Sequence, residues 1–284
     1  MFMAAYNRQC MQLPDLRILP LDVLIPHERT DPRRVNPLLA RIRDEAILRN
    51  PPIVAPFGNG DPRFVVLDGA NRITAMRTLG APHALVQVVD YSQVQLFVWH
   101  HAITQCSVEA LLAQIRSIPG LRIYAGDLTH ARAMLARREA LAFISCDHTH
   151  KADILCGGGD VRERTALLNQ VVDRYEGCAK VQRTISDNLR EVRQSFSDAS
   201  AVVVFPRYEP AEIIELARIG VMLPAGITRH VLPLRALRVN YPMAILRSDM
   251  PLAQKQGHLS EWLHECLMNR RVRTYTEPTV LFDE

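Results

Sequence analysis

The sequence predicts a mixed α/β protein, an α+β arrangement, because strand-length apolar runs alternate with segments of helical periodicity. Through the first hundred residues, apolar runs bounded by turn residues recur, and segments with apolar residues at helical spacing lie between them. The 284 residues suffice for one large domain or two smaller ones. We therefore expect two parts, residues 1–104 and residues 105–284, the second of which closes a cleft over a substrate.

The N-terminal elements follow from local signals taken in chain order. Residues 16–32 begin with apolar runs cut by Pro20 and Pro26, which predicts one or two strands leading into a loop. Residues 35–50 carry apolar residues at helical spacing, and Pro37 suits the first turn of a helix. The same signals predict strands at 51–57, 63–69 and 83–91, a turn at 58–62, a helix at 71–80 closed by Gly80, and a strand or helix at 92–103.

The C-terminal elements continue this alternation and are expected to form a mixed α+β domain. The signals predict a helix at 106–118, a helix and then a strand within 121–146, a strand, a glycine turn and a helix within 151–177, an amphipathic packing helix at 181–196, a strand and a helix within 197–224, and short strands before a last helix. The glycine run at 157–160 would also suit a nucleotide or substrate, although a loop turn is the simpler interpretation.

Composition and charge place the chain among ordinary globular proteins. Hydrophobic residues make up 48% and charged residues 23% of the sequence, and the net charge of +4 is too low to argue for a nucleic-acid partner. The six scattered cysteines include no CxxC pair, which indicates reduced thiols in a cytoplasmic protein. HTHK at 148–151, near Cys146 and Cys156, fits no zinc spacing. Neither a transmembrane length nor a signal peptide is recognisable, so no membrane partner is expected.

The first candidate site is Asp-Gly-Ala-Asn-Arg at 68–72, where a strand is predicted to turn into a helix. The unpaired N–H groups at such a helix start bind anions, and Gly69 lets a ligand approach the backbone closely. Arg72 adds a forked cation, and Asp68 could hold a metal ion or a proton. These groups suit the phosphates of a nucleotide with Mg²⁺, but an Asp-Gly turn before a helix cap is also typical of such a sequence.

A Walker-type phosphate loop is excluded, because the sequence has no GxxxxGK[ST] motif and no lysine before Lys151. The signatures of protein kinases are absent as well. Phosphoryl chemistry in this chain would therefore depend on a helix N-terminus, arginines and a metal ion. A second charged segment, residues 25–34, contains Glu28, which could act as a base; a solvated loop is the alternative interpretation.

The order of these segments resembles a known fold. LDVLIPHERTDP, then a helix, then PPIVAPF and FVVLDGANRITAMRTLG together resemble the ParB/sulfiredoxin-like fold over residues 16–104. The His27-Glu28 pair before a helix narrows the resemblance to the free-serine kinases built on that fold, including those associated with siderophore biosynthesis. GITRH at 226–230, with its trailing Arg-Ala-Leu, and FVWHH at 97–101 are similar to segments of the same family.

This resemblance implies a cytoplasmic kinase that phosphorylates the hydroxyl of free L-serine with Mg²⁺ and ATP, or with ADP as in some family members. The product would be O-phospho-L-serine for a biosynthetic pathway such as siderophore synthesis. In the roles that the resemblance implies, Glu28 is the general base and Asp68 positions Mg²⁺ or the attacking group. The remaining roles are phosphate binding by Gly69, Ala70, Asn71 and Arg72, and L-serine binding by Trp99, His101, Thr228, Arg229 and His230.

Two alternative activities belong to the same fold. Sulfiredoxin chemistry needs a cysteine in the strand-to-helix loop, where this chain has Ala70, and no cysteine lies between Cys10 and Cys106. A ParB-like DNA- or nucleotide-binding regulator is the main alternative, because residues 181–196 carry arginines suited to a recognition helix. We prefer a packing helix there, since the net charge is low. The sequence does not specify an oligomeric state.

Overall fold

The computed structural model describes residues 13–146 and 151–275, and these confirm the predicted mixed α/β class. The strands, numbered in chain order, are β1 (Asp15–Pro20), β2 (Leu24–Pro26), β3 (Ile47–Leu48), β4 (Ile53–Pro56), β5 (Phe64–Asp68), β6 (His83–Val88), β7 (Gln95–Val98), β8 (His100–Thr104), β9 (Leu121–Asp127), β10 (Ala142–Ser145), β11 (Lys151–Gly157), β12 (Lys180–Thr184), β13 (Ala201–Val204), β14 (Thr228–Val231) and β15 (Tyr241–Pro242). The helices are α1 (Pro32–Glu45), α2 (Ala70–Thr78), α3 (Val108–Arg116), α4 (Leu128–Ala136), α5 (Val161–Glu176), α6 (Leu189–Ser195), α7 (Pro210–Arg218), α8 (Met243–Arg247) and α9 (Leu252–Met268).

Two sheets and two short ribbons organise these strands. The first sheet has the order β1-β6-β4-β5-β2, and the second has the order β12-β8-β13-β10-β11-β9. In the first sheet β2 runs parallel to β5 and β4 runs parallel to β6, whereas the other neighbours are antiparallel. Neighbours in the second sheet are antiparallel. The ribbons pair β14 with β7 and β15 with β3, so late segments of the chain return to its N-terminal half.

Strand β5 divides its side chains between two hydrophobic cores, because successive residues of a strand point to opposite faces. Val65 and Leu67 pack in the core that the first sheet shares with the second sheet and with α3, α5 and α7. Val66 packs in another core with residues of α2 and α9, such as Met76 and Leu259. Both faces of β5 are therefore buried, which fixes the point where the chain turns toward α2.

The second sheet is covered by helices on both faces. One face packs on α3 and α5 through residues such as Leu111 and Val171, and the other packs on α4 and α6 through Leu135 and Val192. Strand β8 belongs to this sheet through its pairing with β12 and β13. The division of the chain into two domains near residue 104 stays a prediction.

Helix α1 begins earlier than the sequence predicted. The side chain of Asp31 accepts a hydrogen bond of 2.9 Å from the backbone N–H two residues further on, and Pro32 takes the first helical position, where a missing N–H is tolerated. Pro37 consequently lies inside the helix, so its predicted place in the first turn was wrong. The helix ends where Ala46 adopts a left-handed conformation (φ 54°), and β3 follows within the segment predicted as helix.

Further segments differ from the sequence prediction because tertiary pairing overrides local periodicity. Residues 181–196 contain most of the edge strand β12, which pairs with β8, and then the short helix α6. The prediction of one amphipathic helix over this segment was therefore wrong. Strand β9, paired with β11, was not predicted. Helix α8 lies where short strands were expected. Residues 92–103, for which both states were open, include β7 and β8, and Trp99 separates the two strands.

Candidate active site

A cavity of about 810 Å³ lies between the ends of β2 and β5, the helices α1 and α2, the edge strand β12 and the segment around β14. Every residue to which the resemblance assigned a role lines it: Glu28, Asp68, Gly69, Ala70, Asn71, Arg72, Trp99, His101, Thr228, Arg229 and His230. The structure therefore brings together motifs that lie as far as 200 residues apart in the sequence. The individual roles of these residues stay predictions.

The carboxylate of Glu28 is held by three donors from the segment that leads into β14. Oε2 accepts a hydrogen bond of 2.8 Å from the backbone N–H of Gly226. Oε1 accepts hydrogen bonds from the backbone N–H and from the hydroxyl of Thr228, both at 2.6 Å. Residue 28 also forms a parallel bridge with Leu223, and its side chain is 13% exposed. Glu28 is thus fixed in place at the cavity surface, as a general base requires.

His27 lies at the start of a hydrogen-bonded chain that ends at Glu28. Its Nδ1 is 2.6 Å from the carbonyl oxygen of Val66, and its Nε2 is 2.8 Å from Oγ1 of Thr228, which donates to Glu28. A carbonyl oxygen only accepts, so Nδ1 carries a hydrogen. The two contacts of the Thr228 hydroxyl then require two hydrogens, of which the hydroxyl supplies one. The chain therefore has a place for one further proton, on Nε2 of His27 or on the carboxyl group of Glu28.

His230, the last residue of the GITRH segment, is buried and uncharged at neutral pH. Its ring lies edge-on to the ring of His27 at a centroid distance of 5.3 Å, and its Nε2 is 2.9 Å from the hydroxyl oxygen of Tyr91. Burial, reinforced by the charge of His27 and opposed by that of Asp68, lowers the pKa of His230 to about 3. His230 therefore packs against His27 and offers no positive charge to a phosphate.

The chain turns from β5 into α2 at Gly69, which has a left-handed conformation with φ of 98°. A Cβ atom at this position would lie 3.0 Å from both Cα and Cβ of Pro52, so the turn requires glycine. Helix α2 begins at Ala70, and the side chain of Asn71 accepts a hydrogen bond of 3.3 Å from the backbone N–H of Asp31. The predicted strand-to-helix corner is present, and it is tied to the start of α1.

Asp68, the last residue of β5, is bound by two guanidinium groups. Nη1 of Arg235 donates to Oδ2 of Asp68 at 2.5 Å, and Nη2 of Arg72 lies 3.4 Å from the same oxygen. Arg72 also donates to the backbone carbonyl of Asn50 at 2.8 Å. Burial raises the pKa of Asp68, but the charges of both arginines and the Arg235 hydrogen bond outweigh it, so this pKa lies below its usual value. Asp68 is therefore ionised at neutral pH.

The surroundings of Asp68 fit the magnesium ion that phosphoryl transfer implies. Mg²⁺ in such sites is commonly bound by one or two carboxylates together with phosphate oxygens. Both arginines contact Oδ2, which leaves Oδ1 for a cation, and the side chain is 40% exposed. Within the described residues, no group of three or more His, Cys, Asp or Glu side chains is placed to hold a metal ion. Phosphate oxygens of a nucleotide would therefore have to complete the coordination.

Trp99 and Arg229 form another part of the cavity wall. The guanidinium carbon of Arg229 lies 4.6 Å from the centre of the Trp99 ring, which is a cation–π contact. The backbone N–H of Trp99 donates to the carbonyl oxygen of Ile227 at 2.8 Å and so ties this position to the segment before β14. The two motifs FVWHH and GITRH are thus joined both by backbone pairing and by their side chains.

Among the residues predicted to form the site, His101 is the least exposed to solvent. Its side chain lines the cavity but is only 2% exposed, and its Nδ1 is 2.7 Å from the hydroxyl oxygen of Tyr175. Burial, with the charge of Arg183 adding to it, lowers the pKa of His101 to about 3. The ring is therefore neutral and packed, and its contact with a ligand is limited.

Several residues of the cavity were missed by the sequence prediction, and His27, Arg183 and Arg235 are among them. His27 adjoins Glu28 and served only to recognise the family. Arg235 belongs to the Arg-Ala-Leu that trails the GITRH segment, and that motif was the available signal. Arg183 was expected on a helix, whereas the pairing of β12 with β8 places it on a strand at the cavity.

The remaining predicted features lie away from this cavity. The glycine run at 157–160 is a strand-to-helix turn in which Asp160 caps α5 by accepting hydrogen bonds from Arg162 and Glu163, so the simpler interpretation is confirmed. Residues 148–150 lie outside the described residues. The described cysteines are not joined in disulfides. In the described ranges no helix is both long and apolar enough to cross a membrane.

Comparison of the sequence with known proteins finds several kinases, although no family model matches. The chain is 24% identical over 272 residues to the ATP-dependent L-serine kinase SbnI of Staphylococcus aureus, which covers 95% of this chain and 97% of that protein. It is 25% identical over 237 residues to an ATP-dependent L-serine kinase of Staphylothermus marinus, which covers 81% and 90%. Identity to the ADP-dependent L-serine kinase SerK of Thermococcus kodakarensis is 22% over 223 residues, which covers 77% and 88%.

Solved structures lead to the same group of proteins. The fold matches free serine kinase in complex with AMP with a TM-score of 0.71 at 20% identity, over 83% of this chain and 95% of that chain. It matches SbnI with a C-terminal truncation from Staphylococcus aureus with a TM-score of 0.68 at 19% identity, over 89% and 97%. The ParB/sulfiredoxin-like label is not tested by these matches. This chain is similar to the L-serine kinases in sequence over nearly its whole length and to free serine kinase in fold, which confirms the resemblance.

Proposed function

We propose that the chain is a kinase of free L-serine that transfers the γ-phosphoryl group of ATP to the side-chain hydroxyl and yields O-phospho-L-serine and ADP. The observation that carries this proposal is the fixed carboxylate of Glu28 in an arginine-rich cavity that also contains the start of helix α2. The relatives that match 95% and 81% of the chain are named as ATP-dependent L-serine kinases, and ATP is therefore the proposed donor.

Glu28 acts as the general base in the proposed mechanism. The serine hydroxyl gives its proton to the Glu28 carboxylate as its oxygen forms a bond to the γ-phosphorus. The bond from that phosphorus to ADP breaks, and its electron pair leaves on ADP. Glu28 has to be ionised to accept the proton, and in that state the hydroxyl of Thr228 donates to its Oε1. Thr228 joins His27 and Glu28 and is a positioning residue for the base.

The nucleotide phosphates are proposed to bind at the corner between β5 and α2. The backbone N–H groups at Gly69, Ala70 and Asn71 would bind phosphate oxygens, and the dipole of α2 would add to the attraction. Asp68 would hold Mg²⁺, and the ion would neutralise part of the negative charge of the phosphates. Arg72 would add its positive charge to phosphate binding. Its contacts with Asp68 and with a backbone carbonyl also hold this corner in place.

L-Serine is proposed to bind beside Glu28, with its carboxylate on Arg229. A forked guanidinium matches a carboxylate, and the ring of Trp99 holds this guanidinium in place. His101 and His230 shape the pocket by packing, because both are buried and neutral. One additional methyl group on an amino acid changes binding by only about 1–3 kcal/mol, so other hydroxy amino acids belong in any test of specificity.

The proposal includes a cytoplasmic location, where ATP and free serine are both available, and a supply of O-phosphoserine to a biosynthetic pathway such as siderophore synthesis. The segment that suggested the DNA-binding alternative does not have the form that this alternative expected. Residues 180–184 form a strand of the second sheet, and the helix that follows has only 7 residues. A recognition helix with a partner helix is therefore not formed by this segment.

Phosphorus NMR on the purified full chain tests the proposed reaction directly. The samples contain Mg²⁺, ATP and one free amino acid from a panel that includes serine, threonine and homoserine. A new phosphomonoester signal is expected with serine. The panel is repeated with ADP, because formation of AMP would identify ADP as the donor. Absence of a product across the panel with both donors would overturn the proposal.

Replacement of the base by its amide tests the proposed mechanism. Glu28→Gln keeps an acceptor oxygen for the donors of Thr228 but cannot take a proton, so turnover is expected to fall about 10²–10⁴-fold. Glu176→Gln makes the same change at another residue of the cavity and is expected to retain turnover. Calorimetric titration is expected to show nucleotide binding in both variants. Wild-type turnover in Glu28→Gln would remove Glu28 from the mechanism.

A further inference from the structure

Arg183 is a cation of the cavity whose charge the described protein leaves without a partner. It lies on the edge strand β12, lines the cavity and is partly buried. Within residues 13–146 and 151–275, no group forms a hydrogen bond or an ion pair with its guanidinium. In the same ranges no fully buried side-chain nitrogen lacks a hydrogen-bond partner. The nitrogens of Arg183 must therefore reach the open volume of the cavity.

The other partly buried arginines of the cavity each have a counter-charge or an aromatic ring. These partners are Asp68 for Arg72 and Arg235, Asp173 for Arg29, and the ring of Trp99 for Arg229. A partly buried cation without a counter-charge is destabilising, and arginine does not release its proton to avoid the cost. The counter-charge of Arg183 is therefore expected to come from a ligand.

The acidic residues near Arg183 form no ion pair with it, and their charges do not outweigh its burial. The carboxylates of Glu28 and Asp68 are occupied by other donors. Burial lowers the pKa of Arg183 and the charge of Arg34 lowers it further, whereas the charges of Glu28, Asp68 and Asp31 raise it. The net direction is downward, so these carboxylates do not compensate for burial. An anion that enters the cavity would do so.

Arg183 lies next to the group that holds the proposed base. Its guanidinium packs so closely on Gly226 that a Cβ atom at position 226 would overlap it. The backbone N–H of Gly226 donates to Oε2 of Glu28 at 2.8 Å. The serine oxygen that receives the phosphoryl group must lie within hydrogen-bond reach of Glu28. The phosphoryl group therefore arrives beside Arg183.

We propose that Arg183 is a catalytic residue that binds the phosphoryl group while it moves from ATP to serine, an inference that rests on the proposed kinase function. As the bond to ADP breaks and the bond to the serine oxygen forms, negative charge is carried by the three equatorial oxygens of the phosphoryl group. The guanidinium donates hydrogen bonds to these oxygens, while the serine proton goes to Glu28. Because the contact is strongest during transfer, it raises kcat more than it raises affinity.

Arg183→Gln tests this role, because it removes the charge and keeps a polar side chain. With saturating ATP and serine, kcat is expected to fall about 10²–10³-fold, whereas KM for serine and the dissociation constant of ATP change little. Added guanidinium ion is expected to restore part of the lost kcat. Arg190→Gln, which removes the same charge from an exposed position of α6, is the matched control and retains the wild-type kcat.

L-Serinamide distinguishes a phosphoryl contact from a contact with the carboxylate of serine. If Arg183 binds the phosphoryl group, the wild-type protein and Arg183→Gln prefer serine over serinamide by the same factor. If that preference is lost, and the defect lies in KM for serine and not in kcat, Arg183 binds the carboxylate and the proposal is overturned. An unchanged kcat in Arg183→Gln overturns it as well.

Arg183→Lys decides the question if the glutamine variant does not fold. Lysine keeps the charge and loses the fork, so kcat is expected to fall by a smaller factor in a folded protein. A wild-type kcat in Arg183→Lys would then count against the proposal. The wild-type protein is assayed first. No O-phosphoserine from ATP or ADP would end the proposed function itself, whereas an active wild type with a fully active Arg183→Gln refutes only the role of Arg183.

Discussion

Asp68 and Arg183 lie in the same cavity, but their charges are neutralised in different ways. Asp68 is bound by Arg72 and Arg235 at the corner between β5 and α2. We call this corner, whose charges are paired with one another, the paired wall. The unpaired wall consists of Arg183 on β12, packed on Gly226, and no described residue forms an ion pair or a hydrogen bond with its guanidinium.

This difference separates two ways of preparing a site for an anion. On the paired wall the charges and backbone donors are in place before a ligand arrives, so binding requires little reorganisation. On the unpaired wall the charge of Arg183 is paired only when a ligand supplies an anion. The stabilisation from this pairing is therefore gained only in the ligand-bound state. We therefore expect the paired wall to support nucleotide binding and stability, and the unpaired wall to act mainly on turnover.

Asp68→Asn breaks the paired wall and has the largest expected effect among the tests of this comparison. The change removes the proposed magnesium ligand and leaves two guanidinium groups without their carboxylate. Turnover should fall about 10²–10³-fold, because a bound metal contributes several kcal/mol to charge stabilisation. Rates of O-phosphoserine formation measured against Mg²⁺ concentration should show a requirement shifted to higher concentrations.

The control for Asp68→Asn is Glu139→Gln, which breaks an ion pair with Arg137 outside the cavity. Both variants lose one negative charge, Asp68→Asn together with two ion pairs and Glu139→Gln together with one, but only the first changes the proposed site. Glu139→Gln should retain the turnover and the magnesium requirement of the wild type. An unaltered magnesium requirement in Asp68→Asn would show that Asp68 does not bind the ion.

Gly69→Ala tests the backbone of the paired wall through its stability. The position combines a left-handed φ with a Cβ only 3.0 Å from Pro52, so a loss of about 3 kcal/mol in the free energy of unfolding is expected. Gly60→Ala is the matched control: its φ is also positive (80°) but no atom lies within 4 Å of the added Cβ. It should cost about 1 kcal/mol. If urea unfolding shows the same loss of unfolding free energy in Gly69→Ala and Gly60→Ala, the contact with Pro52 contributes nothing to the cost of the substitution.

Two buried histidines, one near each wall, give the smallest expected effect. His230 interacts with Asp68 and His101 with Arg183, and the pKa of each is lowered to about 3 in the folded protein, against roughly 6.5 in the unfolded chain. Such a group contributes its full stability above pH 6.5 and loses it as the pH falls toward 3. Between pH 6.5 and pH 5 the free energy of unfolding should decrease by about 2 kcal/mol per histidine.

Urea unfolding at pH 7.5, 6 and 5 measures this decrease. His230→Asn and His101→Asn should each show a smaller decrease than the wild type, whatever their stability at pH 7.5. The two histidines should account for similar shares, because the pKa of each is about 3 in the folded protein, well below the pH range of the measurement. A variant that keeps the full decrease of the wild type would show that its histidine does not contribute to the pH dependence.

The corner of the paired wall could be predicted from the sequence because it depends on neighbours in the chain. An apolar strand, Gly69 and a helical pattern occupy consecutive positions, and local steric rules connect them. Arg235 was not predicted, because its contact with Asp68 spans 167 residues. The distant GITRH segment was assigned to the same site only through the resemblance and not through local signals.

The unpaired wall could not be predicted, because it depends on strand pairing. Residues 180–184 are mostly polar and at least partly exposed, and nothing in their periodicity distinguishes an edge strand from the start of an amphipathic helix. Their state follows from the antiparallel pairing of β12 with β8, in which Arg183 stands opposite His101. For the same reason the sequence did not predict β9, which lies at the other edge of this sheet. Long-range pairing, which leaves little trace in a single sequence, thus decided which residues complete the cavity.

The hydrogen bond between Gly226 and Glu28 has a consequence for the time at which a nascent chain acquires activity. The two residues are 198 positions apart. At a synthesis rate of about 5–20 residues per second, the ribosome therefore needs roughly 10–40 s after Glu28 before Gly226 exists. For most of that interval the chain already contains the proposed phosphate-binding sequence at 68–72 but lacks the backbone donors of Gly226 and Thr228 for the Glu28 carboxylate. A nascent chain that has not reached these two residues therefore cannot hold the proposed base in place.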